Sequence, residues 1–507
     1  MQGKKNYQEK LFLSFQLSDH VPVDNFYRRL KEVLDFSFLY ESTSEYYGTE
    51  GQKSIDPVVF MKLMLVGYFE NITSDRKIVA ISRLRLDILY FINYDLDEEL
   101  PWHSTLSRTR QLYGNHIFTE MFKRVLKQCI DLGMISGRRQ AIDGFYVKAN
   151  ASLSNLVEKE ILNDADVYSK ELDTQEQVPE QAQEKEHPLT LVHPTSGQEP
   201  AEVKPEKPPG NDTHYCPNDP DARLSVKQGK AMALNYLGQV SVDTATHMIT
   251  HIQAFTADKR DSECLSAMLV RTKANLQENE LQLQEIVADS GYSSANALKA
   301  LEANRIEGYI PNRAQFNYDR EGFTYNAEED YYECTQGIKV KHTGTYLTAG
   351  YWMKNYYAKG KQCAECPIKD KCIGYKPTRK RVLIKETAEK SYYDKMHLRM
   401  QSRKAKRLLK IRQSTVEPVI GTLVNYLGIK KVNVKGLDQA NKCLTMAAIA
   451  YNLKKMLKHK SQTMEKKAAK ATLWLKTVET SLVKAIIHTG FVIHIKLRQT
   501  QFLFLSN

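Results

Sequence analysis

The stretch Ala141-Ile142-Asp143-Gly144-Phe145-Tyr146-Val147-Lys148-Ala149-Asn150 puts one carboxylate inside an apolar, strand-like run. An isolated charge in such a run costs free energy unless a cation or hydrogen bonds meet it. Asp143 therefore either caps a turn or waits for a cation.

A second carboxylate stands in a similar place. Glu285-Ile286-Val287-Ala288 reads as a short strand that ends on Asp289, with Gly291 opening the turn behind it. A helix and a second strand, Gly308 to Pro311, follow, which is the pattern of a parallel βαβ unit. Upstream, alternation through Leu234, Tyr236, Val240 and Val242, then Met248, Ile249 and Ile252, predicts two antiparallel strands with a turn near Thr244 to His247. Asp261-Ser262 is a candidate start for the next helix. Carboxylates at the ends of neighbouring strands converge at one place in an α/β sheet. Close and unpaired they repel, and Mg²⁺ removes that conflict while activating water. For either Asp alone, a turn or cap remains the bland alternative.

A helix supplies a third acid, Glu417, beside a buried side marked by Val416, Ile420, Leu423 and Leu427. Ser414-Thr415-Val416-Glu417 is also a capping-box pattern. Pro418 lacks the N–H that would bond the Ser414 carbonyl, so the helix is expected to start or kink there. The capping and catalytic readings stay level.

The chain has 72 Lys+Arg against 60 Asp+Glu, a formal charge of +12, which favours a polyanionic partner over a merely basic enzyme only weakly. Its polar first residues do not read as a signal peptide. The best candidate for a membrane span, Ala485 to Ile495, falls short of the roughly 20 residues that span a bilayer. A cytoplasmic protein without membrane partners is expected, with its eight cysteines reduced or metal-bound.

Residues 1–135 read as an all-α N-terminal domain. Asp56-Pro57 starts a buried helix through Phe69, and a second helix is expected from about Asp75 to Phe91. Ser104 is a candidate cap for a helix carrying Ser107, Arg108, Thr109 and Arg110. Arg108 and Arg110 are candidate DNA contacts there, with a solvated helix face as the alternative. Residues 153–218, rich in Glu, Gln and Pro, are expected to be a flexible, disordered insertion. Residues 312–400 are rich in Tyr, Lys and Cys without a clear period. Helices are expected from Ser402 to about Leu427 and from Leu437 to His459. The extension 461–507 ends in a strand-like alternation with no functional reading.

Cys334, Cys363, Cys366 and Cys372 are candidate Zn²⁺ ligands, since a Cys-x2-Cys pair suits two corners of a tetrahedral site. Free structural thiols are the alternative. The surrounding Tyr351, Trp352, Lys354, Tyr356, Tyr357, Lys369 and Lys371 suit contact with DNA.

Taken in order, "AIDGFYVKANAS", "DPDARLSVKQGK" with "NYLGQVSVD", "IVADSGY" and "STVEPVIG" with "NLKK" resemble the DDE insertion-sequence transposases. "IDPVVFMKLMLVGYFENITSDRKI" and "PWHSTLSRTRQ" resemble the InsH-like helical domain of those enzymes. The resemblance implies a mixed α/β fold, an RNase H-like sheet flanked by helices, over residues 136–460. It implies an enzyme that binds terminal inverted repeats, cleaves double-stranded DNA and transfers strands, acting as a homodimer or higher multimer in a bacterial cytoplasm. Asp143, Asp289 and Glu417 would hold two Mg²⁺ or Mn²⁺ ions, about 3.5–4 Å apart. Lys148 and Asn150 lie in the "KANAS" run and Arg412 precedes Glu417, so all three are candidate DNA contacts. The sequence departs from the family pattern at Ile420, where Phe is common, and lacks the lysine usual after Gly421. A nuclease without strand transfer and a DNA-binding protein with a decayed catalytic core are the competing readings.

Overall fold

The computed structural model describes residues 15–48, 54–159, 209–226, 231–313, 318–348, 351–364 and 383–462, together with Lys5, Glu50, Phe316 and 366–368. The expected strand near the C-terminus, Lys369, Lys371, Cys372 and most of the Glu/Pro-rich insertion lie outside the described residues.

The fold is mixed α/β. Its main sheet follows the order 223–225, 233–243, 139–148, 285–287, 307–309, with 249–256 also paired to 233–243. The strand Arg139–Lys148 is central, antiparallel to Ala233–Asp243 on one side and parallel to Glu285–Val287 on the other. The hairpin expected around Thr244 to His247 forms, with His247 at a φ of 60° in the turn. The βαβ unit also forms: Glu285–Val287, the helix Ala295–Ala303, then Glu307–Tyr309 in parallel. This is the sheet that the resemblance implies, flanked by helices.

The N-terminal residues are helical, as expected. Asp56 caps Pro57–Phe69 by accepting from the Val58 and Val59 N–H groups, and nearly every side chain of that helix is buried. A helix apolar all round needs partners on every side. It finds them partly in the helix 437–462, whose Leu444, Ile449, Leu453 and Met456 are buried. Arg29 Nη2 donates to the Leu457 carbonyl at 2.8 Å and Lys442 Nζ to that of Arg110 at 3.0 Å. One continuous core therefore runs from Tyr27 to Leu457, and the expected boundary at residue 135 does not interrupt the packing.

Three local expectations are corrected. The helix from Asp75 breaks at Arg85, which is extended (φ −117°, ψ 112°) and pairs with Glu70 and Asp87 at 2.9 and 2.7 Å. Ser104 is not a cap, because His103–Leu112 begins a residue earlier, after Trp102. The flanks of the insertion are ordered: Val157–Glu158 pairs with His214–Tyr215, and the buried Asp219 accepts from Gly436 N–H at 3.0 Å. In the region that showed no period, Phe323–Asn326, Tyr331–Cys334, Lys339–Thr348, Tyr351–Tyr357 and Leu383–Thr387 form a five-stranded antiparallel sheet around Tyr332, Val340, Tyr356, Cys363 and Ile384. Its tyrosines are apolar at the ring and polar at the tip. Tyr325 and Tyr356 donate to Asp330 Oδ1, and Tyr332 to Glu386 Oε2, so burial does not read as apolar alternation.

Candidate active site

Register brings the first two carboxylates together. Ala141 pairs with Val287 across the parallel ladder, so two residues further along each chain Asp143 and Asp289 come level. Each has one oxygen held by a nearby backbone N–H. Asp143 Oδ1 accepts from Gly144 N–H at 2.9 Å, and Asp289 Oδ1 accepts from Gly291 N–H at 2.8 Å. The other oxygens share a cation: Arg412 Nη2 lies 2.8 Å from Asp143 Oδ2 and 3.4 Å from Asp289 Oδ2. Burial pushes the Asp143 carboxyl up to about 6, the Asp289 charge adds to this, and Arg412 opposes it.

Arg412, a candidate DNA contact in the sequence, meets the two aspartates here. It projects from the buried face of the helix Arg403–Tyr426, 9% of its side chain exposed, and its Nε is buried without a hydrogen-bond partner. A guanidinium on two carboxylates neutralises a pair that would otherwise repel.

Glu417 lies on the same helix, which runs through Pro418 without starting there. Ser414 is mid-helix and donates to the Ile411 carbonyl at 3.0 Å, so the capping-box reading falls. Five residues after Arg412, Glu417 sits about 140° further round the helix and is exposed. Among the described residues no three His, Cys, Asp or Glu side chains form a group able to hold a metal ion. The fit for a divalent cation therefore rests on Asp143 and Asp289, whose hard oxygens converge on one positive group.

A carboxylate taken only as a helix start also belongs to this region. Asp261 Oδ1 accepts from Gln239 Nε2 at 2.6 Å, and Tyr292 donates its hydroxyl to Gln239 Oε1. Gln239 and Tyr292 are fully buried. Burial raises the Asp261 carboxyl, Gln239 opposes that, and the Asp289 charge adds to it. The sequence does carry a signal: Gln239 interrupts an apolar strand next to Val240 and Val242.

The candidate DNA contacts divide. Lys148 is exposed, and its backbone N–H donates to the Lys430 carbonyl, bringing it beside the exposed Lys430 and Lys431. Asn150 Nδ2 donates to the Asn433 carbonyl at 3.2 Å, a structural bond that ties the strand end to that lysine segment. Arg108 is exposed, whereas Arg110 is 3% exposed and bridges Asp75 at 2.6 Å, so Arg110 is a core ion pair and not a DNA contact. In the second sheet Trp352 is 56% exposed, but Lys354 pairs with Asp330 at 2.8 Å and Tyr356 is buried. Cys363 is buried in that sheet's core, while Cys334 and Cys366 are half-buried.

Residues 15–112 match the family model described as a transposase domain (DUF772). Residues 333–457 match the model described as a transposase DDE domain. No curated protein sequence matches the chain. Among solved structures, a cryo-EM piggyBac transposase synaptic complex with hairpin DNA aligns at 8% identity and a TM-score of 0.31, over 84% of this chain and 72% of that one. A Mos1 transposase paired-end complex with left transposon end aligns at 8% identity and a TM-score of 0.16, over 54% of this chain and 64% of that one. At these scores the superpositions carry no weight for the site. Two segments of the chain thus match transposase models, in line with the resemblance to DDE transposases.

Proposed function

We propose that this chain, two segments of which match transposase models, is a DDE transposase that binds the terminal inverted repeats of an insertion element, cuts DNA there and transfers the strand. The observation that supports this most is the pair Asp143 and Asp289, level on neighbouring parallel strands and held by one cation.

Gly144 and Gly291 each give an N–H to one oxygen of the neighbouring aspartate, which leaves the second oxygen free to meet a cation. A pair of Mg²⁺ or Mn²⁺ ions on Asp143, Asp289 and Glu417 would supply an activated water or 3′-hydroxyl and stabilise the leaving oxygen. Partial burial of Asp143, its side chain 18% exposed, strengthens its attraction for a dication relative to water. Arg412, once relieved of the two carboxylates, is free to take a phosphate oxygen, the role implied by the resemblance. Lys148, Lys430 and Lys431 give a basic border for the DNA backbone, and Arg108 gives a second contact on the N-terminal helices. A dimer or higher multimer acting on paired ends, in a bacterial cytoplasm, completes the reading.

The test incubates the full chain with DNA carrying the presumed ends, with and without Mg²⁺. Cut and joined products that vanish in Asp143→Asn, Asp289→Asn and Glu417→Gln while DNA binding persists support the proposal. Cutting without joining supports a nuclease, and binding alone a decayed enzyme. Full activity in Asp143→Asn or Asp289→Asn overturns the assignment of the site.

A further inference from the structure

The cations of the helix Arg403–Tyr426 divide into two sets. Arg412 and Lys404 turn to the sheet, where Lys404 Nζ lies 2.6 Å from Glu285 Oε1 and 3.3 Å from Glu307 Oε2. The preceding helix, Lys390–Gln401, commits its cations in the same way. Lys390 pairs with Asp394 at 2.6 Å, Lys395 pairs with Glu302 at 2.9 Å, and Arg399 donates to the Gly308 carbonyl at 3.0 Å. Arg403, Lys406, Arg407 and Lys410 are exposed, and no ion pair among the described residues involves them.

Their spacing puts all four on one side. At 3.6 residues per turn they fall within about 100° of each other round the axis. Arg412 and the buried Ala405, Leu408 and Val419 take the opposite side. Arg403, Lys410 and Glu417 follow at intervals of two turns, about 10 Å each. The stripe therefore runs along the outer face of the helix and ends at the exposed Glu417.

Local electrostatics works against such a stripe. Cations near the start of a helix meet the positive end of its dipole, and like charges three or four residues apart repel. No acid offsets them in the first turn, and neither Asp nor Glu occurs from Arg403 to Val416. A merely solvated face would be served as well by charges of both signs, without that cost. A face of one sign that is left unpaired matches a partner bringing a regular row of negative charges, and duplex DNA carries one per about 1.7 Å of its axis.

We infer that Arg403, Lys406, Arg407 and Lys410 form a track for the phosphate backbone of double-stranded DNA, leading along the helix to Glu417. This rests on the transposase reading above and adds to it the path of the DNA. Contacts of this kind set the position of a duplex and read no sequence.

The test follows binding of a fluorescent DNA duplex to the full chain by anisotropy, in EDTA, over a range of KCl concentrations. A variant with all four residues changed to Gln, which has a similar helix propensity, is compared with a control carrying Lys127→Gln, Arg271→Gln, Arg305→Gln and Lys458→Gln at exposed positions elsewhere. The stripe variant is expected to lose affinity on the order of 100-fold at about 0.1 M salt, with the slope of log K against log salt shallower by about 3. Its melting temperature should rise, because mutual repulsion is removed. In the wild type, bound duplex should shield Lys406 and Lys410 from acetylation by acetic anhydride, a readout that needs no variant. Unchanged affinity and slope in the stripe variant overturn the inference, as does an equal loss in the control. A lower melting temperature, or equal acetylation of Lys406 and Lys410 with and without duplex, also overturns it. Failure of the wild type to bind any duplex, with or without the presumed ends, overturns the transposase reading as well.

Discussion

Arg412 and Asp143 form an ion pair at 2.8 Å with little of either side chain in solvent, 9% and 18% respectively. The guanidinium also reaches Asp289, so one arginine neutralises both aspartates of the parallel pair. Breaking such a pair leaves a buried charge without compensation.

Replacing Arg412 with Met should therefore destabilise the metal-free protein by about 3 kcal/mol at neutral pH. Mn²⁺ should raise the melting temperature of the variant by more than that of the wild type, because the ion restores the missing charge. Melting curves with and without Mn²⁺ check this, and equal shifts in the two proteins would count against a cation position shared with Arg412.

The Asp143 carboxyl sets a pH dependence. Its pKa is raised from 3.8 to about 6 by burial, with Asp289 adding and Arg412 opposing. Between those values the folded chain binds more protons than the unfolded one, so stability falls as pH rises through the window and levels off above it. The contribution is about 3 kcal/mol. Asp143→Asn should remove that slope in denaturant titrations at several pH values. Saturating Mn²⁺ should reverse its sign in the wild type, because the ion binds the ionised form.

Lys62 is 6% exposed in the buried helix Pro57–Phe69. Burial lowers its pKa from 10.5 to about 8, and repulsion from Lys31 contributes. Between about 8 and 10.5 the unfolded chain holds more protons, so stability rises with pH there, and the full penalty applies below 8. Lys62→Met should stabilise the protein by about 2 kcal/mol at pH 7 and flatten the alkaline slope, as read by unfolding at pH 7 and pH 10.

Two arginines two residues apart on one helix, about 200° from each other round it, should separate folding from DNA contact. Arg110→Ala breaks a buried pair with Asp75 and should cost about 3–5 kcal/mol in unfolding experiments. Arg108→Ala, on an exposed position of the same helix, should change stability by less than about 0.5 kcal/mol and weaken DNA binding with a shallower salt dependence. Unaltered DNA affinity in Arg108→Ala would remove that residue from the interface.

The sequence by itself determined the parts governed by local rules. Asp56-Pro57 started a helix because its cap and missing N–H act within one turn. The hairpin around His247 and the unit from Glu285 to Tyr309 followed from alternation, and Asp143 and Asp289 stood out as charges at apolar strand positions. Only the tertiary structure decided what met them. Arg412 is more than a hundred residues from Asp289 along the chain, and only the packing of its helix on the sheet turns it from a surface arginine into the counter-ion of both aspartates. Asp261 read as a helix start because its partners, Gln239 and Tyr292, reach it through a ladder and a turn that no local pattern encodes. The same holds for Gly144: a glycine after Asp143 was visible, but its reason is a carboxylate from another element filling the space a Cβ would take.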